Sequence, residues 1–244
     1  MSLTPYYEDS RGIVIYHGDA REILPALPKN SVDLIVTDPP YGMKWQGRTT
    51  KFAVLTGDDG GLDVPAAIGA ALPMLRKQRH VYVFGRFDLS ALPIAAPVEL
   101  IWDKCHIGLG DLTLPWGLAH EPIMFGVYVP SLQNRLDGGG ALSARLRRGS
   151  VIRVQRYSSQ QVNRHPTEKP VELIRILIES SSQMGETVLD PFVGSGTTLV
   201  AALLEGRRAI GIEIDEKYAE VAAERVRRTQ VPMELAQCHC PEVG

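Results

Sequence analysis

Short apolar runs rich in Val and Ile, each bounded by turn residues, alternate along this chain with segments whose apolar positions recur at helical spacing. The runs predict strands at Ile13–Tyr16, Val32–Thr37, Val81–Phe84, Val98–Trp102, Ile123–Val129 and Ala209–Ile214, with a further strand starting at Thr187–Leu189. Helical spacing falls at Ala20–Leu27, Pro65–Lys77, Val171–Ser182, Leu199–Glu205 and Glu216–Arg228, the last introduced by Asp215 as N-cap. Parallel strands need crossover connections, and helices of this length supply them. The pattern therefore implies an α/β fold, a doubly wound, mostly parallel sheet covered on both faces. Two stretches interrupt it: the loop Gly42 to Gly61 after a Pro-Pro turn, and a surface insertion around Gly138-Gly139-Gly140. Both are expected over the sheet edge where ligands bind in open α/β folds.

Composition changes the picture little. With 244 residues, 44% of them hydrophobic and 22% charged, the chain can bury the core of one domain. Charges break its apolar runs before the roughly 18 residues of a membrane span. The N-terminus MSLTPYYEDSRG lacks a basic-then-apolar signal, so a cytoplasmic protein is expected. Cys105, Cys238 and Cys240 make neither a disulfide framework nor a four-ligand zinc site, and no metal is expected. Charge is more informative. The net −2 conceals a cationic stretch over residues 131–170, where Arg135, Arg145, Arg147, Arg148, Arg153, Arg156, Arg164 and Lys169 face only Asp137 and Glu168. Such a stretch attracts phosphates or forms a solvated face.

The segment Leu189-Asp190-Pro191-Phe192-Val193-Gly194-Ser195-Gly196-Thr197-Thr198 carries a strand into a glycine turn and then into a helix closed by Gly206. Gly194 and Gly196 let a ligand approach the backbone, and the helix start offers N–H groups to a polar or anionic group. Glu213 stands at the end of the next strand, about twenty residues beyond the turn, the distance at which an acidic side chain takes the ribose hydroxyls of an adenosine ligand. Turn and carboxylate together imply an adenosine cofactor without choosing among such cofactors; an NAD oxidoreductase would use them equally.

Asp38-Pro39-Pro40-Tyr41 bears on that choice. It serves as a rigid strand-ending turn, and its geometry also suits chemistry on an exocyclic amine. The Asp38 carboxylate and the Pro39 carbonyl can accept the two N–H bonds, and Tyr41 offers a face on which a base stacks. Pulling those hydrogens out of the base plane localises the nitrogen lone pair and aims it at an electrophile. A methyl group on a sulfonium is such an electrophile.

On these motifs the chain resembles the N4/N6 amino-methyltransferases of DNA, in the circularly permuted beta group where the Asp-Pro-Pro-Tyr motif precedes the Phe-x-Gly motif. His17-Gly18-Asp19 and Val32 to Tyr41 resemble the catalytic half, and His120-Glu121-Pro122-Ile123-Met124-Phe125 resembles the middle strand. His165-Pro166-Thr167-Glu168-Lys169-Pro170 is similar to the opening of the cofactor half, followed by Leu189 to Thr198 and Gly211 to Glu213. The resemblance implies a Rossmann-like methyltransferase fold and methyl transfer from S-adenosylmethionine to a flipped base in double-stranded DNA, of the restriction-modification type. Asp38, Pro39, Pro40 and Tyr41 would be catalytic. Asp190, Phe192, Gly194, Ser195, Gly196 and Thr197 would line the cofactor site, Glu213 would hold its ribose, and Thr167 and Lys169 its methionine carboxylate. Asp19 would lie beside the adenine while also heading a capping box with Glu22.

One α/β domain is then expected: residues 1–130 as its catalytic half, 131–165 as a basic target-recognition insertion, 166–230 as its cofactor half and 231–244 as a tail. Base extrusion requires a grip on the DNA backbone, expected from Lys44, Arg48, Lys51, Arg145, Arg147, Arg148, Arg153 and Arg156. The insertion is short for a sequence-reading domain, so specificity is loose or assisted by a second protomer in a homodimer. Asp at the first motif position goes, within the family, mostly with adenine N6 and Ser mostly with cytosine N4. The alternatives are N4-cytosine methylation, methylation of RNA or of protein glutamine, where Asn usually replaces this Asp, and a DNA-binding module that keeps the fold without turnover.

Overall fold

All six residues of Val32–Thr37 are buried, as expected of a central strand with helices on both faces. In the computed structural model, which describes residues 3–40, 62–107, 113, 115–130, 148–156 and 168–231, the elements follow this order. They are β1 (Tyr7–Glu8), β2 (Ile13–His17), α1 (Ala20–Ile23), β3 (Val32–Thr37), α2 (Val64–Ala71), β4 (Leu75–Phe84), β5 (Ile94–Asp103) and β6 (His120–Tyr128). Then come β7 (Val151–Arg153), α3 (Val171–Ser181), β8 (Thr187–Asp190), α4 (Thr197–Leu204), β9 (Arg208–Glu213) and α5 (Glu216–Arg228). The sheet order is β1-β2-β9-β8-β3-β4-β6-β5-β7. Pairing is parallel except where β1 meets β2 and where β6 meets β4 and β5.

Alternate residues of the strands feed two cores. Leu34, Val36, Tyr82, Phe84 and Val188 pack with α3, α4 and α5. Ile35, Val81, Val83, Leu189 and Ile212 pack with α1 and α2 on the other face. The sheet is thus mostly parallel and doubly wound. No helix of the described residues is long and apolar enough to cross a membrane.

Several boundaries differ from the sequence expectation, β6 starting at His120 and α4 at Thr197 among them. The helix expected over Pro65–Lys77 stops at Ala71, because Pro73 has no N–H to donate; a 3-10 turn at Leu72–Met74 then leads into β4, which starts at Leu75 rather than Val81. Pro25 likewise ends α1 at Ile23 and leaves Leu24–Ala26 as a 3-10 turn. The strand expected at Val98 begins at Ile94, before a register shift between Ala95 and Val98 where Ala96 has φ +49°. The edge strands β1 and β7 are too short to carry a periodic signal.

Candidate active site

Strands β3 and β8 lie side by side and parallel. From β3 the chain passes through α2 on one face to β4; from β8 it passes through α4 on the other face to β9. Connections leaving in opposite directions open a crevice beyond the carboxyl ends of the two strands, the place where open α/β sheets bind ligands. Asp38 follows β3 and Asp190 ends β8, so both stand at this crevice. Thr37 Oγ1 joins the two strand ends by donating to Asp190 Oδ1 at 2.8 Å inside the protein.

On the β3 side the charges are matched to one another. Lys169, just before α3, donates from Nζ to Asp38 Oδ2 at 2.7 Å and lies 2.9 Å from Glu121 Oε1. Lys104 Nζ lies 3.0 Å from Glu121 Oε2. The Lys169 side chain is only 8% exposed and its ammonium sits 5.1 Å from the centre of the Phe84 ring. Burial by itself would push this ammonium down, but Asp38 and Glu121 more than reverse that and hold it above the ordinary lysine range. Glu121 shows the mirror image: burial pushes its carboxyl up, and Lys169 and Lys104 hold it below the usual range. Expected to hold a cofactor carboxylate, Lys169 here holds the catalytic-motif carboxylate.

The glycine turn is built differently. Asp190 is buried and accepts from Thr37 and from the Phe192 N–H at 3.1 Å. Burial pushes its carboxyl up to about 6, against the lowering effect of hydrogen bonds from Thr198, Thr37 and Phe192. Glu213 accepts from the Gly194 N–H at 2.8 Å and the Asp215 N–H at 2.9 Å, and burial pushes it up to about 7. The two glycines serve separate ends. At Gly194, φ is +51° and an added Cβ would meet nothing within 4 Å, so this side of the turn is open to a ligand. At Gly196, φ is +87° and a Cβ would come within 2.8 Å of Ala222 Cβ, so this glycine lets α5 pack against the turn.

Ser195 and Thr197, expected to face a cofactor, are buried and turned to Arg225 on α5. Its guanidinium donates to Ser195 O at 2.7 Å, Ser195 Oγ at 2.9 Å and Thr197 Oγ1 at 3.2 Å, and to Glu168 Oε1 at 2.7 Å. One buried arginine therefore ties the glycine turn to the segment that carries Lys169. Asp19 caps α1 by accepting the Arg21 N–H at 2.8 Å and pairs with the Arg21 side chain, which holds its carboxyl below the usual range. Phe192 is half-buried beside the turn, Pro39 is buried and Pro40 half-buried.

Of the expected DNA contacts, Arg153 and Arg156 stand at the carboxyl end of β7, on the catalytic edge. Arg153 is 77% exposed and pairs with Asp103 at 2.9 Å; the Arg156 N–H donates to Lys104 O at 3.3 Å. Arg148 is not brought to that edge: it precedes β7 and pairs with Glu179 near the end of α3, at the opposite edge of the sheet. The connection from β5 to β6 adds Ile107, Trp116 and Leu118, all strongly exposed, at the catalytic edge. Tyr41, Lys44, Arg48, Lys51, Arg145, Arg147, Thr167, the loop Gly42 to Gly61 and the triple glycine lie outside the described residues.

Sequence reasoning gave no role to Glu121, Lys104, Arg225, Thr37 or Thr198. Charged residues on a helix or at a strand end look solvated until the fold sets their partners. The signal available was position: Glu121, Thr37 and Thr198 lie inside the family-like segments His120 to Phe125, Val32 to Tyr41 and Leu189 to Thr198.

Known proteins align with this architecture. The family profile described as DNA methylase, of N6/N4 methyltransferases, matches residues 96–224, just over half of the chain. The DNA adenine methyltransferase YhdJ of Escherichia coli is 29% identical over 87% of this chain and 82% of its own length. The type II methyltransferase M2.DpnII of Streptococcus pneumoniae is 26% identical over 92% of its length and 91% of this chain. The crystal structure of TTHA0409 from Thermus thermophilus, a candidate DNA modification methylase complexed with S-adenosyl-L-methionine, superposes with a TM-score of 0.60 at 26% identity, covering 90% of this chain and 94% of that one. The chain belongs to the N6/N4 DNA methyltransferase family.

Proposed function

We propose that this DNA methyltransferase transfers a methyl group from S-adenosylmethionine to the N6 amine of adenine flipped out of a duplex. The observation that carries the reading is the Thr37–Asp190 bond, which sets the amine-gripping corner directly beside the glycine turn. The residues at that turn fit the cofactor. Open space at Gly194 admits a ligand against the backbone, and the Glu213 carboxylate beside it can accept from ribose hydroxyls. When bound, the cofactor supplies an electrophilic methyl on a sulfonium.

The chain's own part is positioning. Asp38 Oδ and the Pro39 carbonyl accept the two amine N–H bonds, draw them from the base plane and turn the lone pair toward the glycine turn. No strong base is needed, because the surplus proton leaves to water once the nitrogen is alkylated. Adenine is favoured by Asp at the first motif position and by the adenine specificity that the name of YhdJ states.

Arg153, Arg156 and the exposed Trp116 support the catalytic edge as the DNA face. Lys44, Arg48, Lys51, Arg145, Arg147 and the 131–165 insertion are assigned to the same grip. A second protomer assists target recognition, and the enzyme works in the cytoplasm. Incubating unmethylated DNA with the protein and methyl-labelled cofactor, then digesting to nucleosides, is expected to place the label in N6-methyladenosine. Label confined to N4-methylcytidine, RNA or protein would refute the assignment.

A further inference from the structure

We propose that Glu121 is a positioning residue for methyl transfer, sharing the buried Lys169 ammonium with Asp38 so that Asp38 remains available to the target amine. The inference rests on the reading of Asp38 given above. Lys104, Glu121, Lys169 and Asp38 form a row of alternating charge, with successive contacts of 3.0, 2.9 and 2.7 Å. Its formal sum is zero. An ammonium shared by two carboxylates is held wholly by neither. Without Glu121, Lys169 would close fully on Asp38, competing for the lone pairs that must accept the amine hydrogens. The row would also become net positive, beside the place where a cationic methyl donor must bind. Lys104 moderates the system from the other end, drawing part of the Glu121 charge away from Lys169.

Among the described residues, the groups in contact with Lys169 include Asp38 after β3, Glu121 on β6 with Lys104 behind it, and the Phe84 ring on β4; Asp190 on β8 is coupled to the charge of Asp38. Glu168, its chain neighbour, is turned to Arg225. Removing a negative charge from this row lowers the pKa of each remaining member, carboxyl and ammonium alike, and removing a positive charge raises it.

The test compares wild type, Glu121→Gln, Glu121→Asp and Lys104→Met. Total methyl label entering DNA is measured whichever base receives it, together with the cofactor Kd and the pH dependence of kcat. E121Q is expected to lower kcat about 10- to 100-fold, the range for residues that orient a reacting group from one contact away, with Kd little changed. Its pH–kcat profile moves to lower pH. E121D recovers part of both, and K104M moves the profile to higher pH with a smaller rate loss. If E121Q does not fold, the E121D and K104M shifts decide alone. Wild-type kcat and pH profile in E121Q would overturn the proposal, as would shifts of the same sign in E121Q and K104M, or a Kd that weakens in step with kcat. The identity of the methylated nucleoside is a separate readout, so a wrong base assignment leaves this result standing.

Discussion

Two carboxylate corners share the crevice and are kept in opposite ways. At the end of β3, Asp38 and its neighbour Glu121 answer two lysine ammoniums. At the ends of β8 and β9, Asp190 and Glu213 are held by hydroxyl and backbone N–H donors, and burial leaves them near about 6 and about 7. The first corner has its charge fixed by ion pairs, with the Lys169 ammonium held above the ordinary lysine range by Asp38 and Glu121. The second sits close to protonation under ordinary conditions. Sensitivity to pH near neutrality is therefore expected to enter through cofactor binding and to spare the grip on the base.

The largest effect belongs to the first corner. Asp38→Ala should cut turnover by about 10²–10³-fold, the usual cost of removing one positioned polar group at a reacting centre, while calorimetry finds cofactor affinity intact. A parallel loss of affinity would mean the two corners are not separable.

Next in size is a pair of substitutions within the second corner. Gly196→Ala drives a methyl into Ala222 at a positive φ and should cost about 2–4 kcal/mol of stability, read as a lowered Tm. Gly194→Ala meets open space, so it should cost only about 1 kcal/mol in stability while weakening cofactor binding about tenfold. Equal stability losses at the two positions would erase the distinction between a packing glycine and a ligand-facing one.

The smallest effect is graded with pH. Only the ionised Glu213 is a full acceptor for ribose hydroxyls, so apparent cofactor affinity should hold above about pH 8. Below about 7 it should fall, approaching about tenfold per unit, while kcat at saturating cofactor stays flat over that range. Stability runs the other way. An acid raised from 4.5 to about 7 on folding binds its proton more tightly in the folded state. Its contribution is full below about 4.5 and is lost as pH rises through about 7. A denaturation series across pH 5–8 without added cofactor checks this sign.

How much of this was legible in the chain differs between the corners. Asp38 and the glycine turn were readable because each is a rare local pattern at a strand end. The strands β3, β8 and β9 were readable because each is a short run rich in Val, Ile or Leu that ends in turn residues. The partners were not. Glu121, Lys104 and Arg225 are ordinary charged residues in sequence, and only the order of β4, β6 and β5 beside β3, and the packing of α5 against the glycine turn, set them against Asp38 and the turn. Proline governed the misplaced boundaries: Pro73 and Pro25 each end a helix inside a stretch whose apolar spacing continues. Local motifs thus locate the reacting groups, whereas the balance of charge around them is a property of the fold.

The most direct test of the central claim is a crystal structure of the enzyme with S-adenosylmethionine and duplex DNA containing its target. The extruded adenine should place its N6 within hydrogen-bond distance of the Asp38 carboxylate and the Pro39 carbonyl, with the sulfonium methyl on the opposite side, against the turn at Gly194. An amine bound away from Asp38, or a cofactor seated elsewhere than that turn, would contradict the account.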